Sequence, residues 1–93
     1  MKERDIEYAV CQWAKAQGAL PIKMSAYSTA GYPDRLFLFA GRCVFIEFKA
    51  PGRHPRAIQV VRMEELNSLG FEVKVVDSVE SGIAFLASTL LTT

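Results

Sequence analysis

The 93-residue sequence has one histidine, two cysteines and no long apolar run, and each shortage tells against a class of function. With His54 alone, and with Cys11 and Cys43 at neither metal-ligand nor framework spacing, a zinc site and a disulfide scaffold are both disfavoured; the thiols are expected to be reduced and buried. No apolar stretch approaches the roughly 18 residues of a membrane span. A signal-peptide pattern is missing too, since Met1 is followed by Lys2-Glu3-Arg4-Asp5, so the chain reads as soluble, intracellular and cytoplasmic, with no membrane partner. Nor is there an excess of charge, the formal net value being +1. The length suits one domain over residues 1–93, small enough for self-association to be expected.

The distribution of charge says more than its total. Between Tyr8 and Met63 stand eight basic residues, Lys15, Lys23, Arg35, Arg42, Lys49, Arg53, Arg56 and Arg62, with Asp34 and Glu47 as the only acids. A basic middle suits a polyanionic partner, and two acids inside it suit a cation bound beside that partner; the plainer reading is a solvated charged surface.

Those acids lie in a predicted hairpin. Pro33-Asp34 leads into an apolar strand, Arg35 to Phe39, Gly41-Arg42 reads as the turn, and a second apolar strand, Cys43 to Lys49, carries Glu47 and Lys49. Both strands are apolar on both faces apart from these residues, which predicts a central hairpin covered on two sides. If the loop holds an even number of residues, Gly41-Arg42 alone or Ala40 to Cys43, Asp34 faces Lys49 and Leu36 faces Glu47. Asp34, Glu47 and Lys49 then share one side of the sheet. An odd loop splits Asp34 from the other two.

Around the hairpin the pattern predicts α-β-β-β-α-β-α. Residues 3 to about 17 form an amphipathic helix in which Glu3 and Glu7 flank the apolar stripe. Leu20 to Met24 is a short strand, and Ser25 to Ala30 a loop. A helix with Pro55 in its first turn runs to about Leu69, closed by Gly70, with Ile58, Val61, Leu66 and Leu69 inward and Gln59 at the edge of that side. Phe71 to Val76 is a strand nearer the sheet edge, and Asp77-Ser78-Val79-Glu80 resembles a capping box opening a last helix.

Two carboxylates on one sheet face suit Mg²⁺ (or Mn²⁺), which takes oxygen ligands from one or two carboxylates, waters and substrate phosphate; the Phe48 carbonyl is placed to add another. Lys49 beside them would hold or deprotonate an attacking water and offset transition-state charge. Phosphodiester hydrolysis uses all of these parts. Arg53, His54 and Arg56 in the following loop, with Arg35, are candidate nucleic-acid contacts, His54 otherwise being a turn residue.

Pro33-Asp34 followed by Glu47-Phe48-Lys49 resembles the PD-(D/E)xK nuclease superfamily. Gly31-Tyr32-Pro33-Asp34-Arg35, Phe45-Ile46-Glu47-Phe48-Lys49-Ala50-Pro51-Gly52, Gln59 and Leu69-Gly70 resemble, more closely, the VRR-NUC family, especially its short, stand-alone phage-type members. The resemblance implies an α/β, restriction-endonuclease-like core, a mixed sheet flanked by helices. It also implies metal ligation by Asp34, Glu47 and the Phe48 carbonyl, catalysis by Lys49, a helix-borne Gln59, and a first-helix acid at Glu3 or Glu7. Ala30 stands where the family often has a basic residue. Compact members are similar to Holliday junction resolvases and act as homodimers, so the expectation is a metal-dependent, structure-selective DNA endonuclease acting on branched or junction DNA. The competing expectation is a nucleic-acid-binding domain that keeps the fold without catalysis.

Overall fold

The computed structural model describes residues 1–92. Its elements run α1 (Glu3–Ala16), β1 (Leu20–Lys23), α2 (Ser25–Ser28), β2 (Arg35–Phe39), β3 (Arg42–Phe48), α3 (Ala57–Ser68), β4 (Glu72–Val76) and α4 (Val79–Thr89). This is the expected order, with a single helical turn, α2, inside the segment read as a loop. The strands form one mixed sheet in the order β1-β2-β3-β4, antiparallel except for the β3–β4 pair. The hairpin is therefore central and β4 an edge, as the patterning implied, but β2 is not covered on both sides, since Leu38 is exposed. Among the described residues no helix is long and apolar enough to cross a membrane.

The hairpin turn is Ala40-Gly41, not Gly41-Arg42, because Phe39 pairs with Arg42 and Leu36 with Phe45. Both turn residues adopt positive φ, 50° at Ala40 and 78° at Gly41, as a two-residue turn matched to strand twist requires. A Gly41-Arg42 turn would have forced a long side chain into that region at its second position, where glycine is favoured. The slide is by two residues, so the loop stays even and the faces are unchanged. The opposed partners do change: continuing the ladder by one residue sets Asp34 across from Glu47, not Lys49, and Leu36 no longer faces Glu47.

Alternation along β3 then divides the molecule. Val44, Ile46 and Phe48 point into the core beneath α1 and α4, with Phe37 and Val76 beside them and Ile6, Val10, Ala14, Leu86 and Leu90 above. Each fully buried aliphatic or aromatic side chain there contributes roughly 1.5–3 kcal/mol. Val76, which breaks the alternation of its strand in sequence, pairs with Phe48 on this core face. Both cysteines are free thiols; Cys11 is buried as expected, whereas Cys43, next to the hairpin turn, is only half-buried. At the start of α4, Ser78 Oγ accepts from the Ser81 N–H and caps the helix.

The opposite face of β3 presents Phe45 and Glu47 to α3. That helix begins later than expected: Arg56 is its N-cap and Pro55 lies outside, because the Gln59 side chain accepts from the Arg56 N–H at 2.7 Å. Its orientation also differs. Leu66 is half-buried as expected, but Ile58, Val61 and Leu69 are exposed, and Gln59 is buried with its amide on Glu47 of the sheet. At about 100° per residue, α3 is turned by roughly 90° from the orientation that Ile58, Val61, Leu66 and Leu69 together predict.

Candidate active site

Pro33 fixes the chain just before β2, and Asp34 uses this rigid approach to reach across to β3. Its Oδ2 accepts from the Phe48 N–H at 2.8 Å. A strand residue's N–H and C=O point the same way, so the Phe48 carbonyl emerges on the Asp34 side as well. Glu47, only 3% exposed, stands on the same face. Directly opposed strand positions hold their Cβ atoms about 5 Å apart, close enough for the two carboxylates to repel.

Glu47 is held by one oxygen. Its Oε2 accepts from Gln59 Nε2 at 2.8 Å and lies 3.1 Å from Lys49 Nζ. Gln59 thus spans from the α3 N-cap to the carboxylate, a role that its position near the apolar side of the helix did not reveal. The other oxygen, Oε1, is buried with no hydrogen-bond partner. An unpaired carboxylate oxygen in the interior is costly unless a cation or donor completes it. Burial and the charge of Asp34 push the Glu47 carboxyl above its usual range, despite Lys49. For Asp34 burial and the Glu7 charge do the same, against the pull of the Phe48 N–H.

This donor set fits a hard divalent ion. Among the described residues no group of three or more His, Cys, Asp or Glu side chains gathers as a ready-made metal cage. Two carboxylates and a carbonyl are nevertheless the partial shell that Mg²⁺ takes when waters and substrate phosphate supply the rest.

Of the two first-helix acids, Glu3 is the one at the mouth of this site. With Lys49, Ala50, Arg53, His54 and Arg56 it lines a cleft of about 260 Å³. Burial and the nearby Asp34 raise its carboxyl above the usual range. Glu7, one turn on, is already paired: Arg35 Nε donates to its Oε2 at 2.6 Å and Lys23 Nζ at 3.1 Å. The structure consequently does not bring Arg35 to the Arg53–Arg56 loop. Its side chain turns to the α1 face of the sheet, the side opposite Asp34.

Contacts outside the predicted set of site residues tie α3 to the segment that leads into Asp34. Tyr32 donates to Glu65 Oε1 at 2.6 Å, and Arg62 lies over the Tyr32 ring while donating to the Ala30 carbonyl at 3.0 Å. A bulky aromatic between Gly31 and Pro33 was the available signal, since turns seldom need one.

No family model matches the chain. One solved structure, described as "VRR_NUC domain", superposes with a TM-score of 0.81 at 28% identity over 95% of this chain and 96% of that one. A phage protein named "Putative nuclease p44", from Acyrthosiphon pisum secondary endosymbiont phage 1, is 33% identical over 79 residues, 84% of this chain and 85% of the relative. The chain belongs to the VRR-NUC family of nucleases. A second structure, "VRR_NUC domain protein", shares the fold at 19% identity, with a TM-score of 0.77 over 98% of this chain and 89% of that one.

Within this VRR-NUC chain the Glu7 cluster is expected to govern acid stability. Burial alone would raise the Glu7 carboxyl, but the bonds from Arg35 and Lys23 outweigh it and hold the group below its ordinary value of 4.5. A lowered folded pKa means stability that is complete above the unfolded value and is lost as pH falls through the folded one. Glu7→Gln should therefore cost about 1–3 kcal/mol at pH 7. Denaturant unfolding at pH 7 and pH 3 checks this: the difference from the parent protein must shrink at the lower pH.

Proposed function

We propose that this nuclease is a Mg²⁺- or Mn²⁺-dependent DNA endonuclease that acts on branched DNA of the four-way-junction kind, as a homodimer, through one catalytic domain spanning residues 1–93. The observation that carries the reading is the buried, partnerless Glu47 Oε1 beside Asp34. Asp34, Glu47 and the Phe48 carbonyl would hold the ion. When bound, it supplies Lewis acidity at a phosphoryl oxygen and a nucleophilic water near neutral pH.

The remaining residues orient and balance charge. Gln59 and Lys49 grip Glu47 Oε2, which leaves the buried Oε1 without a partner. The Lys49 ammonium offsets negative charge that accumulates on phosphate during attack and positions the incoming water. Glu3 at the cleft mouth is the better-placed first-helix acid, and Arg53, His54 and Arg56 grip the DNA backbone. Such contacts read shape and charge, not base edges.

Junctions require two cuts in opposed strands, and a C2 pair of small chains provides two sites. Leu20, Ile22 and Leu38 lie exposed on the half of the sheet that α3 leaves uncovered, an apolar area suited to self-association.

The test is a labelled panel of four-way junctions, flaps and nicked duplexes, with Mg²⁺ or Mn²⁺, comparing the intact protein with Glu47→Ala. Paired symmetric nicks in the junction, lost in the variant, are expected. Junction binding without cutting, unchanged by Glu47→Ala, would instead select a non-catalytic binding domain. Arg53→Ala and Arg56→Ala should each weaken binding on every sequence and reduce the slope of log affinity against log salt by about one.

A further inference from the structure

α3 buries only part of its apolar surface: Leu66 and Met63, within about 40° of Gln59, are half-buried, while Val60 on one flank is as exposed as Ile58 on the other. With Gln59 taken as the inward direction, Ile58, Val61 and Leu69 lie about 80–160° around the helix on one side, at about 100° per residue. They are 38%, 52% and 69% exposed. Burying apolar side chains is favourable, so this flank pulls toward the sheet, against the loss of Leu66 and Met63 and of the Gln59 bonds to Glu47 and Arg56, and a roll in that direction would carry Gln59 away from Glu47. A second set of contacts opposes that roll.

The opposing contacts sit on the same flank. Glu65 accepts from Tyr32, and Arg62 donates to the Ala30 carbonyl at 3.0 Å and lies 4.8 Å from the centre of the Tyr32 ring. A pairing at 3.3 Å braces Arg62 against Glu65 within the helix. The first three contacts join α3 to the segment that ends at Asp34, so the helix and the first carboxylate are tied to each other as well as to the sheet. A roll of the helix would break all three together.

We infer that Tyr32, Arg62 and Glu65 form a clamp that sets the rotation of α3 about its axis, against the pull of its exposed Ile58, Val61 and Leu69, and thereby delivers Gln59 to Glu47. They are positioning residues, acting through Gln59. The inference builds on the proposed role of Glu47 but is testable apart from it, because the Gln59 side-chain amide reports the rotation directly.

Two variants loosen the clamp: Tyr32→Phe, which deletes one hydroxyl and keeps the ring, and Glu65→Ala. Glu65→Gln keeps an acceptor for Tyr32. In ¹⁵N NMR of the intact chain, the Gln59 side-chain amide is expected to be protected from solvent exchange. Tyr32→Phe and Glu65→Ala should lose that protection and lower kcat for DNA cleavage by about tenfold, with KM unchanged. Glu65→Gln should retain both. Adding Val61→Lys to Glu65→Ala removes apolar pull from the competing flank and should restore both. Unchanged Gln59 protection in Glu65→Ala and Tyr32→Phe overturns the clamp. Failure of Val61→Lys to restore protection overturns the rolling helix as the cause. Should the intact protein cut no DNA at all, the proposed function falls while the amide comparison still decides the clamp.

Discussion

Asp34→Asn is expected to reduce metal-dependent DNA cleavage by about 10³-fold, a loss of several kcal/mol of transition-state stabilisation, while raising the melting temperature of the metal-free protein. The substitution preserves shape and leaves an oxygen to accept from the Phe48 N–H, so the start of β2 should stay in place. What it removes is a negative charge that the fold tolerates badly. Burial and the neighbouring Glu7 raise the Asp34 carboxyl above its ordinary value of 3.8. Because the folded pKa lies above the unfolded one, ionisation costs stability, and that cost is fully present at pH 7. It disappears as pH falls below the unfolded value. Melting curves without metal should show the variant ahead of the parent at pH 7 and the two converging near pH 3. Adding Mg²⁺ should reverse the order, since only the parent binds it well and gains stability by mass action. A variant that cuts DNA at the parental rate would remove Asp34 from the proposed metal site, and one that melts lower than the parent at pH 7 without metal would overturn the cost assigned to its buried charge.

Alternation makes the shared face of Asp34, Glu47 and Lys49 legible in the residues alone, because side chains on a strand switch sides with period two whatever the exact pairing. The identity of the opposed residues is less accessible. It turns on whether Ala40 or Arg42 takes positive φ beside Gly41, and apolar pattern carries no information about that. The same alternation has enough information to separate Arg35 from Asp34, its immediate neighbour, but counting charge along the chain obscures it. The first-helix acid cannot be chosen from a helical projection, since Glu3 and Glu7 both flank the stripe. Packing treats them differently, pairing Glu7 with Arg35 and Lys23 and leaving Glu3 at the cleft. The face of α3 escapes a periodicity argument for a physical reason: periodicity weighs apolar residues, whereas this helix is oriented by a buried amide and by polar contacts from Tyr32 and Ala30, which arise only in three dimensions.

Gly31→Ala should be strongly destabilising, costing about 2–4 kcal/mol and lowering cleavage with it. Gly31 has φ +88°, a region that an L side chain enters with strain. A Cβ there would lie 2.8 Å from Ile58 Cγ1, which can rotate away, but also 2.9 Å and 3.0 Å from the Ile58 carbonyl oxygen and carbon, which cannot. Relief requires moving the first turn of α3, the turn that carries Gln59, or the segment that leads into Asp34. The first motion separates Gln59 from Glu47, and the second separates Asp34 from Glu47. Gly41→Ala is the matching control: its φ is +78°, and no atom lies within 4 Å of the added carbon, so it bears only the backbone strain of about 1–2 kcal/mol. Denaturant unfolding of the two variants isolates the cost of the close approach as their difference. If Gly31→Ala proves no worse than Gly41→Ala and cleaves DNA normally, α3 can yield without disturbing the site, and its tight docking against the Gly31 segment is not what holds the two carboxylates and the glutamine together.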